Sequence, residues 1–233
     1  MRKSVLFIGL FLLTVQYHVA QTNKVSFKFN FGSTFSKPQD DLAKSYGQGN
    51  SLQPALSMEA AYMLTYSKNT KFGVKLAGVA GYDMSNILAH DALSQVKVSI
   101  PNVRARIYPF SYDGKLDDAF EKVAPEGLPF MLEIPVWIAI YSSINSLHFD
   151  YGTGFATLTE KPFIDEYTFA ETQTTRTMTY TGWGVQPQIY TSESEKWVWN
   201  AIFDFGKYKW TNNAGGTSSI KSNMLGFGFS YKF

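Results

Sequence analysis

From Lys24 onward the chain alternates between apolar and polar positions with a period of two. In KVSFKFNFGSTFS, Val25, Phe27, Phe29 and Phe31 fall on one side of an extended chain, with Ser26, Lys28, Asn30 and Gly32 on the other. Residues 52–66 repeat the pattern, with Leu56, Met58, Ala60, Tyr62 and Leu64 opposite Ser57, Glu59, Ala61 and Thr65, and SKNT then supplies a tight turn. A third strand, in TKFGVKLAGVAGYD, places Phe72, Val74, Leu76, Ala80 and Tyr82 on one face. A fourth, over 95–110, begins with Val96, Val98 and Ile100 outward and passes to Val103, Ala105 and Ile107 after Pro101-Asn102. That one-residue slip predicts a β-bulge at Pro101, a residue that cannot donate to a ladder.

After Phe110 the period changes. KLDDAFEKVA spaces Leu116, Ala119, Phe120 and Val123 by three and four, which predicts a short amphipathic helix ending before Pro125. Residues 129–142 predict a fifth strand, with Phe130, Leu132, Ile134, Val136, Ile138 and Ile140 on one face and Glu133 and Trp137 on the other. Residues 146–174 alternate in part, as in LHFDYGTGF, and fit either an extra hairpin or the arms of a long loop. Three more strands follow at about 175–191, 196–210 and 219–233, joined by SESEK and TNNAGGTSS. The fold class expected is therefore all-β, a closed antiparallel barrel of eight strands, or of ten if 146–174 is a membrane hairpin. Both counts are even, which puts both ends of the barrel chain on one side.

Alternation alone does not separate a barrel in water from one in lipid. The apolar faces, however, carry aromatic residues near strand ends, among them Phe35, Tyr66, Phe72, Tyr82, Trp183, Trp197, Tyr231 and Phe233, where a membrane-interface girdle belongs. A soluble exported barrel holding an apolar ligand is the other reading of this pattern, and it would cover its outer face with far more Lys and Glu. Aromatic residues make up 16% of the chain and charged residues only 17%, below the roughly 25% of an average soluble domain. Mean hydropathy is nonetheless slightly negative, so the two kinds of residue must be interleaved. A net charge of +2 gives no reason to expect a nucleic-acid partner, and the absence of cysteine excludes disulfides, thiolate chemistry and a lipidated N-terminal Cys.

The N-terminus carries Arg2 and Lys3, then an apolar run over Val5 to Leu13, and Ala20-Gln21 beyond it, the pattern of a cleaved secretory signal peptide. Cleavage is expected after Ala20, although His18 departs from the small-residue preference at minus three. Residues 1–20 are thus expected to be the signal peptide and 21–233 the barrel.

The last residues, SNMLGFGFSYKF, place Leu225, Phe227, Phe229, Tyr231 and Phe233 on one unbroken apolar face. A terminal Phe, an aromatic two residues before it and apolar residues at each preceding alternate position resemble the C-terminal signal read by the barrel-assembly machinery of Gram-negative outer membranes. With FKFNFGSTFS, VSIPNVRARIYPF, FMLEIPVWIAIY and GFGFSYKF, most of the remaining chain resembles the small porin-like outer-membrane β-barrel family, PorT-like and OmpX-like. The resemblance implies residence in an outer membrane, with outer-membrane lipid and the assembly machinery as partners. The family is defined by architecture more than by activity. The amphipathic 115–124 segment, periplasmic by strand parity, is expected to cap the barrel mouth or to dock a periplasmic partner such as a secretion component, and the outer loops to meet a surface partner.

Charges expected in the lumen are Lys28, Glu59, Lys75, Arg104, Arg106, Glu133 and Asp204. In an eight-strand barrel side chains fill the interior, so near-balanced charges are expected to pair there, with Arg106 opposite Glu133, and a wide diffusion pore is excluded by size. His148 and Asp150 share a strand face, but two ligands are too few for a catalytic zinc site. GTGFATLTEKPF looks somewhat like part of the lipid A deacylase family, which implies an alternative role in lipid A modification. That family needs a His two residues before a nucleophilic Ser, and here His90 precedes Ala92 and His148 precedes Asp150. No catalytic, metal or cofactor-binding residue is assigned. The segments 37–51 and 146–174 are expected to be the contact loops.

Overall fold

In a computed structural model, residues 25–39, 51–66, 70–88, 94–123, 127, 129–162, 172–194, 196–211 and 216–232 are described. The signal segment, His90, Phe233 and most of the 37–51 loop lie outside them. The elements are β1 (Val25–Gln39), β2 (Ser51–Thr65), β3 (Phe72–Leu88), β4 (Ser94–Tyr112), α1 (Leu116–Val123), α2 (Phe130–Ser143), β5 (His148–Pro162), β6 (Thr172–Val185), β7 (Gln188–Thr191), β8 (Trp197–Thr211) and β9 (Thr217–Lys232).

Every consecutive pairing from β1 to β6 is antiparallel, β9 pairs with both β8 and β1, and β6 pairs with β8, so the sheet closes on itself. The short β7 also pairs with β8, below the β6 segment, so β6 and β7 are one strand interrupted at Gln186-Pro187. Pro187 cannot donate to the ladder, and the Gln186 backbone N–H turns instead to Ser146. The result is a closed antiparallel barrel of eight strands. Closure through β6 and β8 removes the free edges, the condition for a sheet in lipid, and among the described strands only the short β7 pairs on one side alone.

The fifth strand is 148–162, not 129–142 as the alternation suggested. Residues 130–143 form α2 instead. A fifth strand over 129–142 would turn Trp137 into the lumen and set Pro135 in a central ladder that it cannot serve. HFDYGTGF turns His148, Asp150, Gly152 and Gly154 inward, and Arg104 and Arg106 on β4 need just such small or acidic partners. At Gly152 the fit is close: a Cβ there would lie 2.2 Å from the Val103 carbonyl oxygen and 2.9 Å from Arg104 Cγ.

The bulge in β4 is also displaced from its expected place. Register with β3 runs unbroken through Tyr82↔Pro101 and Gly81↔Asn102, and Ile100 points inward on the same face as Asn102 and Arg104. The apparent slip at Pro101 arose because the lumen is apolar at that height. The register shift occurs instead between Lys75↔Tyr108 and Gly73↔Ser111, where Pro109 and Phe110 face the single residue Val74. It reverses the inward and outward parity of β4, so that Tyr112 leaves the lumen face and packs against Phe72 with ring centroids 4.7 Å apart. On this pair sits the helical hairpin: Leu116 and Ala119 of α1 with Ile140 of α2 and Ile144 just beyond it.

Strand β8 shows the general rule in its alternation of exposed and buried residues. Trp197, Trp199, Phe203 and Phe205 are exposed, whereas Val198, Asn200, Ile202 and Asp204 between them are buried.

Candidate functional site: the charged lumen

The inward residues form three layers. Nearest the chain termini, Lys28 Nζ donates to Gln186 Oε1, and Gln186 Nε2 donates to Asp204 Oδ1 at 3.1 Å. Lys75 lies over the Tyr108 ring at 5.2 Å. A cavity of about 20 Å³ at this mouth is lined by Lys28, Glu59, Lys75, Tyr108, Asn200 and Lys232 among others, room for about one water.

The middle layer is built around Arg106, which is 1% exposed. Its guanidinium grips Asp150 with two bonds of 2.7 Å, from Nε and Nη2, while Nη1 donates to Glu59 at 3.0 Å and Nη2 to Asp204 at 3.1 Å. Arg104 shares Asp150 at 3.3 Å and stacks over the Tyr180 ring at 4.8 Å. The Tyr108 hydroxyl lies 2.8 Å from Glu59 Oε1. His148 is fully enclosed: Nδ1 is 3.1 Å from the Ser146 carbonyl, and Nε2 is 3.2 Å from Asp204 Oδ1, close but off the line of a hydrogen bond.

The layer at the far end is aromatic and apolar, with Ile100, Ala156, Met178, Tyr180, Tyr208, Trp210 and Ile220 in one cluster. One carboxylate enters it: Asp83 accepts from the Tyr208 hydroxyl at 2.6 Å and from Ser222 at 3.4 Å.

Of the lumen charges expected from sequence, Lys28, Glu59, Lys75, Arg104, Arg106 and Asp204 all point inward, and Glu133 does not. Glu133 sits exposed on α2, and the partner that faces Arg106 across β4 and β5 is Asp150. Two lumen carboxylates, Asp83 and Asp150, were missed. Asp83 closes an apolar strand and Asp150 lies in the segment of uncertain assignment, yet both fall at inward positions of alternating runs. Among the described residues the fully buried set is then three cations, Lys28, Arg104 and Arg106, against four carboxylates, Glu59, Asp83, Asp150 and Asp204, with Lys75, Lys232 and Arg176 half-buried on the same inward face nearer the two ends.

Ion pairs of this kind tie β2, β4, β5 and β8 to one another across the lumen. Each carboxylate is already engaged, and the only histidine of the layer faces Asp204 and a backbone carbonyl rather than a hydroxyl nucleophile. Among the described residues no three His, Asp or Glu side chains converge as metal ligands. Of the C-terminal signal residues, Leu225 and Phe227 are exposed on the outer face, Phe229 stacks on Phe29 with centroids 5.5 Å apart, and Tyr231 meets Trp197 at 4.9 Å.

No family model matches the sequence, and no curated protein matches it. Similar solved structures include Ail, the attachment invasion locus protein of Yersinia pestis, at 11% identity and TM-score 0.42, covering 89% of this chain and 99% of that one. Neisserial surface protein A matches at 11% identity and TM-score 0.41, over 89% and 97% of the two chains. The outer membrane protein OprG of Pseudomonas aeruginosa matches at 12% identity and TM-score 0.35, over 89% and 96%. The closed barrel described above rests on the strand register of this chain and borrows nothing from these likenesses.

Proposed function

We propose that this chain is an integral outer-membrane barrel whose lumen is closed by side chains, serving as a structural or binding element through its two rims rather than as a diffusion pore. The observation that carries this reading is the inversion of polarity about the wall: ion pairs within, and Phe29, Phe31, Leu56, Met58, Leu76, Val103, Ile107, Phe155, Trp199, Phe203, Leu225 and Phe227 exposed without. In water such a belt, running right round the molecule, would drive aggregation; in hydrocarbon it needs no cover.

The belt has edges. Above the row Phe35, Asn223, Phe205 and Trp183 lies the row Lys37, Lys221, Lys207 and Thr181, in cross-strand register. Lysines adjacent on one face repel. At the level of anionic headgroups, with aromatic rings just beneath, that repulsion is offset.

By strand parity the 40–50, 89–93, 163–171 and 212–216 connections share the end away from the chain termini. They would supply whatever surface ligand or partner the protein binds. Leu225, Phe227, Phe229, Tyr231 and Phe233 would serve the barrel-assembly machinery, and residues 1–20 would be removed on export. N-terminal sequencing of the mature protein tests the cleavage after Ala20, and deletion of Phe233 should slow assembly.

The proposal is tested by refolding the mature chain into detergent or vesicles. The unboiled sample should migrate differently from the boiled one, and planar bilayers holding the folded protein should show no open-pore conductance. A protein that stays monomeric in buffer without detergent would refute it.

A further inference from the structure

Helix α2 is apolar almost all round, yet only one side of it is packed. Val136 and Ile140, with Ile144 beyond the helix end, lie against Tyr112, Leu116, Ala119 and Phe72. The remainder of its surface presents Met131 (86% exposed), Leu132, Ile134, Trp137 and Ile138. The sequence FMLEIPVWIAIYSS contains a single charge, Glu133 in the first turn, and no Lys, Arg, Asn or Gln. A helix on the surface of a protein in water carries its polar residues on that arc.

Its position says what covers it. The β4 bulge at Pro109-Phe110 turns Tyr112 to the outer face of the barrel beside Phe72, so the hairpin seats on the outside of the wall, at the end where the chain termini lie. The helix end is fixed there. Asn145, in the left-handed conformation at φ 58°, accepts from the Tyr112 backbone N–H at 3.1 Å and donates to the Tyr112 carbonyl at 2.8 Å, and its own N–H reaches the Phe110 carbonyl at 2.8 Å. Phe110, Ile107 and Val103 continue outward from this point along β4 as the exposed apolar belt. Trp137 stacks on Tyr141 at 3.9 Å, and the Tyr141 hydroxyl donates to Asp117 on the polar face of α1, giving the pair one apolar and one hydrated side.

We infer that α2 is an interfacial helix: it lies in the periplasmic leaflet of the membrane with Met131, Ile134 and Ile138 among acyl chains, while α1 holds it to the barrel rim and faces water. The occupant of this surface is lipid, because the surface continues the lipid-facing belt. At 14 residues the helix is too short to span and suited to lie flat. This inference rests on the membrane placement of the barrel proposed above. It gives the rim a second anchor, on one side only, which fixes the tilt and rotation of the barrel relative to the periplasmic surface.

The chain has no native cysteine, so single-cysteine variants Met131→Cys, Ile138→Cys and Phe227→Cys can each carry one environment-sensitive fluorophore in the otherwise intact protein. After refolding into phosphatidylcholine vesicles with no other protein present, bromine on the acyl chains should quench all three labels, and aqueous iodide should quench them little. The heat-dependent gel shift confirms in each case that the barrel is folded. If the Phe227 label is quenched by bromolipid while the Met131 and Ile138 labels answer only to iodide, the helix is in water and the inference is overturned, with the barrel placement intact. That outcome would make α2 a protein-docking surface instead. If all three labels answer to iodide, both placements fall.

Discussion

Replacing Arg106 with methionine keeps most of the side-chain volume and removes the cation that three carboxylates share. Asp150 loses both of its 2.7 Å bonds and retains only Arg104 at 3.3 Å; Glu59 retains the Tyr108 hydroxyl; Asp204 retains Gln186 and the neighbouring His148. The fully buried set passes from three cations against four carboxylates to two against four, at a site 1% exposed. Breaking a buried ion pair by deleting one partner costs about 3–5 kcal/mol, because the charge left behind is uncompensated. The carboxylates keep other partners, so the lower part of that range is expected, roughly a hundredfold to a thousandfold in the unfolding equilibrium. The assay is the folded fraction in urea, read from the heat-dependent gel shift of protein in vesicles. With a slope near 2 kcal/mol per molar the midpoint should fall by about 1.5–2 M. Adding Asp150→Asn to Arg106→Met restores the parent's charge difference and should recover part of the loss. A midpoint within about 0.5 kcal/mol of the parent for Arg106→Met, or no recovery in the double variant, would show that the network does not hold the barrel together.

Phe227→Arg places a guanidinium on the outer wall and should destabilise the inserted barrel by about 2–4 kcal/mol at the bilayer midplane, measured in the same urea titration; an unchanged midpoint would mean that Phe227 does not meet lipid. Gly206→Ala introduces a Cβ that would lie 2.1 Å from the Tyr180 hydroxyl oxygen. It should cost about 1–3 kcal/mol and disturb the Tyr180 and Tyr208 pair, visible as a change in near-ultraviolet circular dichroism. Tyr141, on α2, has its phenol pushed up from 10.0 to about 12 by partial burial and then by its hydrogen bond to Asp117. Because the protonated form is the one favoured in the folded hairpin, that contact is fully present below pH 10 and is lost as pH rises through about 12. Absorbance at 295 nm should show a late-titrating tyrosine that moves down in Asp117→Asn.

Much of the barrel was legible because a wall with lipid outside and ions inside forces alternation, which β8 follows throughout and β1, β2 and β9 follow over their middle stretches. The failures come from places where that contrast is absent. FMLEIPVWIAIY is apolar at nearly every position, and in such a run the periods of strand and helix cannot be told apart; Pro135 and the wrong inward residues were the available signs against a strand. HFDYGTGF carries its polarity in His148, Asp150 and two glycines, which fit a lumen as well as a loop. Ile100 looked outward only because the lumen at its height is apolar, lined with Met178, Tyr180 and Ile220. Arg106 was legible as an interior charge, but its partner Asp150 follows from strand order, which no local pattern supplies.

The orientation of the wall carries everything else, and β8 tests it most directly. Nitroxide labels placed one at a time at positions 199 to 205 of the refolded protein in vesicles report collision with oxygen, which concentrates in lipid, and with a nickel chelate, which stays in water. The account predicts oxygen access with a period of two, high at 199, 203 and 205 and low at Asn200, Ile202 and Asp204, with the nickel chelate excluded throughout. High oxygen access at the even positions, or nickel access at Trp199 and Phe203, would contradict it.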